Sequence, residues 1–324
     1  MKKYLLIPAV LFLFASAAYT SGDKTYTNPV LVDTYPMHRT QAPRYDGILG
    51  IGDPAVILFN DTYYLYPTGD NHSYRVYLSD DLIHWKKGPK VFETRRRGVW
   101  APDVFFSEQD RKFYLYYTAE RAVGVAEADR PDGIFVDKGV LIQGAIDAHL
   151  FRDDDGAYYL YYARYPDFAL FVQPMETPLK KKGKPLELLS VTEPWEMKTK
   201  PVIEAPWMIK HGGIYYLLYS AGSADSEYYA MGYATSKNAV GPFVKYQGNP
   251  FIKEGEGVFG PGHAAVTRDN EGQLWLVYHQ QKDSKRGWNR IICIDPLWFD
   301  ESGVLHGKAT RGIAQSAPVS RKTK

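Results

Sequence analysis

Cysteine is nearly absent from this sequence, because only one of the 324 residues, Cys293, is a cysteine. An intramolecular disulfide is therefore excluded. Cys293 lies in the apolar run Arg290-Ile291-Ile292-Cys293-Ile294, which is typical of a buried strand residue rather than a nucleophile. The fold must depend on its core, for which a hydrophobic content of 45% is ample.

The chain also lacks an excess of charge of either sign. Lys plus Arg total 39 against 37 for Asp plus Glu, a net charge of +2. So small a net charge argues against a nucleic acid or an anionic membrane surface as partner and favours a neutral one. Aromatic residues, by contrast, make up 15% of the chain and include 26 Tyr and 7 Trp. Their apolar faces and polar edges suit sugar rings, although most of them are expected to be core residues of strands.

A long hydrophobic run occurs nowhere after the N-terminus, so we expect no membrane span. The N-terminus itself reads as a secretory signal peptide over residues 1–18, with a charged start, a short apolar stretch from Tyr4 to Phe14 and small residues before a cleavage point near Ala17 or Ala18. No Cys follows it, which argues against a lipoprotein anchor. We therefore expect a bacterial protein exported to the periplasm or the medium, with residues 19–324 forming a single domain.

Sustained helical periodicity is missing as well, and one strand pattern recurs five times instead. Each copy has an apolar strand, a polar hairpin turn and a Tyr-rich strand. The copies start at residues 53, 101, 147, 204 and 263, with spacings of 48, 46, 57 and 59 that match four-stranded propeller blades. The sequence predicts an all-β fold, a five-bladed β-propeller in which each blade is a four-stranded antiparallel sheet.

The outer strands of the blades follow each repeated pair of strands. We expect third strands around residues 76–79, 123–126, 170–173, 231–234 and 291–294, and fourth strands at 201–203 and 249–252. The segment Thr27-Asn28-Pro29-Val30 resembles Asn249-Pro250-Phe251-Ile252. We therefore expect this N-terminal segment to supply an outer strand of the last blade and close the ring.

Equivalent first residues of the repeats should converge on the propeller axis, because the innermost strands all begin at the same end of the channel. These residues are Asp53, Ala101, Asp147, Glu204 and His263. A single Asp before Pro is usually a turn residue, but three acids in register indicate a function, since buried carboxylates held together repel each other. The aspartates at 103 and 153–155 and the basic runs at 95–97 and 180–182 are off this register and are interpreted as structural.

At these residues the sequence resembles glycoside hydrolase family 43, over roughly residues 27–300. The matching segments follow the order of the family and are Gly52-Asp53-Pro54, Trp100-Ala101-Pro102-Asp103, Ile146-Asp147-Ala148, Glu204-Ala205-Pro206-Trp207, Gly262-His263 and Arg290.

The resemblance implies that Asp53 is a general base, Glu204 a general acid, and Asp147 a carboxylate that orients Glu204 and raises its pKa. An inverting glycosidase needs such a base and acid about 6.5–9.5 Å apart. Trp100 and Arg290 resemble family residues that contact the terminal sugar, and core packing between blades is the alternative for Trp100. His263 resembles the histidine that holds central water or a calcium ion in many members. The chemistry needs no cofactor, and a structural calcium is the metal that the resemblance suggests.

The leading functional hypothesis is an exo-acting α-L-arabinofuranosidase that acts on arabinan, arabinoxylan or xylan fragments. A β-xylosidase or endo-arabinanase of the same family, an invertase-like retaining enzyme and a non-catalytic sugar-binding propeller remain alternatives. The segment at residues 33–52 is longer than the family usually has before its first Asp-Pro, and we expect it to shape the pocket rim. The sequence leaves the linkage, endo or exo action and the oligomeric state open.

Overall fold

A computed structural model describes residues 24–37 and 47–320 of the chain. The predicted signal peptide and the middle of the 33–52 segment lie outside the described residues. Strands dominate the described part, in which the only helical element is a 3-10 helix over Pro194–Met197. In the same part of the chain, no helix is long and apolar enough to cross a membrane.

Five antiparallel sheets form the five blades, as the repeats predict. Blade 1 contains β4 (Gly52–Phe59), β5 (Thr62–Thr68), β6 (Ser73–Ser79) and β7 (Lys86–Glu93); blade 2 contains β8 (Trp100–Ser107), β9 (Lys112–Ala119), β10 (Ala122–Ala128) and β11 (Val136–Gln143). Blade 3 contains β12 (Ala145–Arg152), β13 (Tyr158–Arg164) and β14 (Leu170–Thr177), with its outer position divided between β15 (Lys180–Lys181) and β16 (Leu186–Leu189).

Blade 4 contains β17 (Ile203–His211), β18 (Ile214–Ala221), β19 (Ala230–Ser236) and β20 (Val244–Lys245); blade 5 contains β21 (Gly262–Arg268), β22 (Leu274–Gln281), β23 (Arg290–Phe299) and β24 (Leu305–Gly307). Two short ribbons join β1 (Thr25–Thr27) to β25 (Ala314–Ser316) and β2 (Thr34–Pro36) to β3 (Ile48–Gly50). The first strands β4, β8, β12, β17 and β21 contact one another in ring order and surround the axis.

The core consists of five hydrophobic clusters, one at each interface between neighbouring blades. Both faces of a blade are covered, which explains why the second strands are almost continuously apolar and Tyr-rich. Tyrosine suits this position because its hydroxyl reaches a backbone carbonyl of the next blade. Such hydrogen bonds run from Tyr66 to Pro131, Tyr116 to Pro178, Tyr161 to Ala239 and Tyr216 to Gly303, each 2.7 Å long.

The N-terminal segment closes the ring at the outer edge of β23, although with less pairing than a full strand. Leu31 forms a bridge with Ile292, while the Asn28 side chain donates to the Ile294 carbonyl and accepts from the Ile294 N–H. The buried Asp295 carboxylate then accepts from Tyr26, Asn28, Tyr278 and Thr310. Residues near both ends of the described chain are thus fastened to blade 5.

One of the two predicted fourth strands is wrong. Residues 201–203 are no outer strand, because Ile203 already begins β17, the first strand of blade 4. Residues 249–252 do reach the expected place, since Ile252 bridges Met231 on β19.

Candidate active site

A cavity of about 710 Å³ opens where the first strands begin, and all six residues singled out in the sequence line it. Blade 1 contributes Asp53, blade 2 Trp100, blade 3 Asp147, blade 4 Glu204, and blade 5 both His263 and Arg290. The remaining wall residues include Leu49, Gly50, Asn71, Tyr165, Phe168, Lys200, Asp225 and Trp288. Leu49 and Gly50 belong to the 33–52 segment, which therefore shapes the rim as expected.

A β-bulge at the start of every first strand turns these side chains towards the pocket. In each blade two residues of the first strand oppose one residue of the second. The first bulged residue is left-handed, with φ of 47° at Asp53, 45° at Ala101, 56° at Asp147, 55° at Ala205 and 51° at His263. Positive φ costs energy for a non-glycine residue and persists where the surrounding structure enforces it.

The bulges correct the predicted register of blade 4. The residue equivalent to Asp53 and Asp147 is Ala205, whereas Glu204 stands one position earlier, where blade 2 has Trp100. Both positions face the pocket, so the error does not remove Glu204 from the site. The sequence held the signal, because aligning Pro54, Pro102 and Pro206 puts residue 205 in register with 53 and 101.

Four of the five strained bulges are held by a side chain from the second strand of the preceding blade, and the fifth, at Ala205 of blade 4, hydrogen-bonds through its backbone to the Asp147 carboxylate of blade 3. The Asp53 N–H donates to His279 Nδ1 at 3.1 Å, and the Asp147 N–H donates to Thr118 Oγ1 at 3.1 Å. Ala101 and His263 donate likewise to the hydroxyls of Thr68 and Ser220. These acceptors stand near the ends of the second strands. The bulged residues are therefore fixed by the closed ring rather than by their own blade.

Asp53 is held in its ionised form by a buried cation. Its Oδ1 lies 2.6 Å from Arg290 Nη1, 3.3 Å from His263 Nδ1 and 3.4 Å from His279 Nδ1. Burial alone raises the pKa of Asp53, but the Arg290 guanidinium, followed by the two histidines, outweighs it and holds this pKa well below its usual range. A buried, ionised carboxylate facing a pocket can accept a proton from water.

Arg290 itself has a role that sequence reasoning did not predict, as the ion-pair partner of Asp53. Its guanidinium fills space that only glycine leaves free, because a Cβ at Gly52 would lie 2.3 Å from Arg290 Cζ.

Asp147 and Glu204 lie in the opposite electrostatic environment, in which the pKa values of both carboxyls are raised. Burial, then the charges of Glu204 and Asp53, raise the pKa of Asp147 well above its ordinary value. Burial is also the largest cause that raises the pKa of Glu204 to about 7, ahead of the Asp53 charge. The family resemblance assigns this rise to Asp147, whereas burial and the Asp53 charge are its causes in this structure. A neutral carboxyl beside an ionised one separates an acid from a base.

Trp100 is a pocket wall rather than a core residue. Its side chain remains about 37% exposed, and its Nε1–H donates to Asn71 Oδ1 at 3.1 Å. Trp100 packs over Gly98, where a Cβ would lie 3.0 Å from its ring. An indole fixed at its edge and open on its face is the arrangement that stacks on an apolar ring surface.

His263 faces the carboxylates, with Nδ1 3.3 Å from Asp53 Oδ1 and 3.8 Å from Asp147 Oδ2. Calcium prefers six to eight oxygen ligands. Within residues 24–37 and 47–320, no group of three His, Cys, Asp or Glu side chains has the geometry to hold a metal ion. The structural calcium that the family resemblance suggests at His263 stays a prediction.

The off-register aspartates have structural partners. Asp103 is buried and accepts from the Leu150 N–H at 2.8 Å, and Asp153 lies in its predicted hairpin turn, where it pairs with Lys210 and Tyr215.

Two residues of the site were missed. The Tyr229 hydroxyl donates to Glu204, and His279 accepts the Asp53 N–H. Only His279 could have been found from the sequence, because it is a polar residue near the end of a second strand, as are Thr68, Thr118 and Ser220.

Comparison with known proteins agrees with the fold. The model described as Glycosyl hydrolases family 43 matches residues 50–305. A protein named beta-D-galactofuranosidase xynD from Aspergillus niger is 29% identical over 290 residues, covering 78% of this chain and 81% of that protein. The extracellular exo-alpha-(1->5)-L-arabinofuranosidase ArbA of Cellvibrio japonicus is 25% identical over 301 residues, covering 78% and 84%. The crystal structure of a thermostable family-43 glycoside hydrolase superimposes with a TM-score of 0.78 at 32% identity, covering 91% of this chain and 99% of that one.

Proposed function

The chain belongs to glycoside hydrolase family 43 and is a glycosidase, and on this premise we propose that it is a secreted, inverting exo-α-L-arabinofuranosidase acting on arabinan or arabinoxylan fragments. One observation carries the proposal. Asp53 and Glu204 face one cavity from non-adjacent blades, and their environments push their pKa values in opposite directions. This is the pairing of base and acid that inversion requires.

The proposed reaction is a single displacement. Asp53 accepts a proton from a water molecule while the water oxygen attacks the anomeric carbon of the terminal sugar. Glu204 simultaneously donates its proton to the glycosidic oxygen, so that the leaving sugar departs as a neutral alcohol. The bond to the leaving oxygen breaks as the bond to water forms, and the anomeric centre inverts. Afterwards Asp53 is protonated and Glu204 ionised, and a proton exchange through solvent restores the starting state.

The neighbouring residues support these two roles. Arg290 keeps Asp53 charged and fixes one of its oxygens through the 2.6 Å contact. Asp147 lies in the same pocket, with its N–H held by Thr118, and takes the orienting role towards Glu204. Trp100 offers its exposed face to the terminal sugar.

Exo action is supported by the rim. Leu49 and Gly50 of the β2–β3 ribbon add a wall beside blade 5, where a Cβ at Gly50 would lie 2.1 Å from the Arg290 carbonyl oxygen. A walled pocket receives a chain end more readily than the middle of a polysaccharide. ArbA, one of the relatives above, is named as an exo-acting enzyme.

A β-D-galactofuranosidase is the second candidate, favoured by the name of the Aspergillus niger relative. β-D-Galactofuranosides and α-L-arabinofuranosides share the configuration of the furanose ring and differ in the exocyclic chain, so one pocket could accept either. The ratio of kcat/KM on the two nitrophenyl furanosides, with nitrophenyl β-D-xyloside as a third substrate, decides between them. The proposal predicts that the arabinofuranoside is preferred.

The mechanism is tested by the stereochemistry of the first product. Proton NMR during hydrolysis of the preferred furanoside should show the inverted anomer first and its mutarotation later. Retention would contradict the assignment of Asp53 as a base.

The Glu204→Ala variant should lose most turnover of natural oligosaccharides, and equal rates in wild type and variant would refute the role of Glu204 as the acid. Absence of turnover of any glycan by the wild type would favour a sugar-binding propeller.

Two further parts of the proposal have simple tests. No step requires a metal, so dialysis against EDTA should leave kcat unchanged, and a loss restored by calcium would contradict this. Export by cleavage near Ala17 or Ala18 predicts that the mature protein begins at residue 18 or 19, which mass spectrometry of the protein recovered outside the cytoplasm can check.

A further inference from the structure

Tyr229 lies directly before β19 and is completely buried. Its hydroxyl is 2.9 Å from Glu204 Oε1. We propose that Tyr229 is a positioning residue for the proposed acid: its O–H occupies Oε1 of Glu204 and thereby directs the catalytic proton to Oε2. The inference rests on the proposed role of Glu204 and adds the residue that orients it.

The position of the Tyr229 ring is over-determined by its surroundings. A Cβ at Gly262 would lie 2.1 Å from Tyr229 Cε1, so the ring occupies the space that this glycine leaves free. A second neighbour is His279, whose ring is parallel to that of Tyr229 with centroids 5.7 Å apart. The backbone is fixed as well, because the Tyr229 N–H donates to the Ser226 carbonyl at 3.2 Å. Such a ring cannot follow a rotating carboxyl, and the carboxyl must align with it.

The hydroxyl remains a donor throughout the working pH range. Burial, then the nearby carboxylates of Glu204, Asp147 and Asp53, raise the pKa of Tyr229 well above its ordinary value. When the Tyr229 O–H donates to Oε1, the acidic proton of Glu204 lies on Oε2. A proton on Oε1 would face the hydrogen of the Tyr229 hydroxyl and repel it. After proton transfer, the same O–H stabilises the carboxylate through a charge-assisted hydrogen bond.

Tyr229 also connects the acid with the base. His279, which stacks on Tyr229, accepts the Asp53 N–H through Nδ1. Its proton is therefore on Nε2, and burial, then Arg290, hold the pKa of His279 well below its ordinary value, so the ring is neutral. The charged or titratable groups that face Glu204 are Asp53, Asp147 and Arg290, in addition to Tyr229.

The test is the Tyr229→Phe variant, assayed on substrates whose leaving groups differ in their need for protonation. An oligosaccharide leaving group needs the acid, whereas a dinitrophenolate departs with little help. We expect kcat to fall about 10- to 100-fold on the oligosaccharide and less than about 3-fold on the dinitrophenyl glycoside, with KM nearly unchanged. In the wild type, the hydrogen bond from Tyr229 lowers the pKa of Glu204. Its removal raises this pKa, so the basic limb of the pH profile should move to higher pH by about 0.5 to 1 unit.

Tyr219→Phe is the matched control. Tyr219 is equally buried, lies in the same blade and donates to a buried carboxylate, Glu196, at 2.7 Å, but it does not line the pocket. It should leave both rates and the pH profile unchanged. Equal losses on both substrates in Tyr229→Phe, or an unmoved basic limb, would refute the inference. The Glu204→Gln variant tests the proposed acid separately from the positioning role of Tyr229. If this variant loses the same activity on the oligosaccharide and on the dinitrophenyl glycoside, Glu204 is not the acid.

A second variant keeps the inference testable if Tyr229→Phe does not fold. Incorporation of 3-fluorotyrosine at position 229 alone changes the ring little and makes the O–H a stronger donor. The basic limb should then move to lower pH, opposite to the phenylalanine variant. A shift in the same direction, or none, would show that the hydroxyl does not act on the acid.

Discussion

Replacement of Arg290 by glutamine removes the only guanidinium that lies against Asp53 in the described residues, and the resulting change of the pH profile can be worked out from the structure. The contact is 2.6 Å, and the Asp53 and Arg290 side chains are only 10% and 5% exposed, so water screens it little. An opposite charge this close lowers an aspartate pKa by about 1–3 units. The acidic limb of the kcat/KM profile should therefore move to higher pH by about 1–3 units. At pH values below the new limb, kcat/KM should be lower than that of the wild type by about tenfold for each unit of the shift.

The sign follows from the protonation state that each role requires. Asp53 acts as a base only when ionised, so activity is lost as pH falls through its pKa, and a higher pKa moves that loss to higher pH. Arg290 also lowers the pKa of Glu204, so the basic limb, expected near pH 7, should rise too. His263 and His279 also lower the pKa of Asp53 when they are protonated, but burial lowers their own pKa values, so near pH 7 they are neutral and do not replace the charge of Arg290.

Lys245→Gln provides a control with a comparable structural cost. Lys245 pairs with the buried Glu196 at 2.7 Å, outside the pocket. Breaking either buried pair should cost about 3–5 kcal/mol of stability, so activities are compared well below both melting temperatures. The Arg290 variant should shift both limbs, and the Lys245 variant neither. An unmoved acidic limb in Arg290→Gln, or an equal shift in the control, would refute the electrostatic account of Asp53.

Three further predictions concern the wall, the acid and the ring. Trp100→Ala should raise KM about 3- to 10-fold with little change in melting temperature, because its indole is partly exposed and its contribution is stacking; an unchanged KM would contradict this. Glu204→Gln should remove the basic limb near pH 7 from the residual activity on an activated substrate, and a limb that remains would assign that titration to another group. Asp295→Asn should lower stability by about 2–4 kcal/mol, since an amide nitrogen would face hydrogen-bond donors such as Thr310. Calorimetry measures this loss, and kcat below the transition should stay unchanged; a variant as stable as the wild type would argue against ring closure through Asp295.

Sequence reasoning succeeded where the signal is local and repeated. Hairpin turns, Tyr-rich second strands and the recurrence of the first strands specify a blade within about 50 residues, and five copies specify a ring. The same register brought Asp53, Asp147 and His263 to one pocket correctly. It failed by one residue at Glu204, because a bulge adds a residue to a strand and changes which position faces the axis.

The repeat pattern does not predict which side chains contact the site residues. Arg290 and Asp53 are 237 residues apart, and His279 is 226 residues from Asp53. Nothing in the local sequence around Tyr229 indicates a hydrogen bond to Glu204. The contacts of Arg290 and His279 with Asp53 form because blades 5 and 1 pack side by side around the axis, whereas Tyr229 and Glu204 meet within blade 4 through the folding of its own sheet.

The sequence alone determined the all-β propeller, its family and the identity of its carboxylates, since periodicity, turn residues and order along the chain are properties of short segments. The tertiary structure decided the ionisation of those carboxylates. Asp53 is charged because the ring places Arg290 beside it, while Glu204 holds its proton near neutral pH chiefly because the ring buries it. Desolvation and charge proximity depend on three-dimensional distance, which the linear order of residues does not contain.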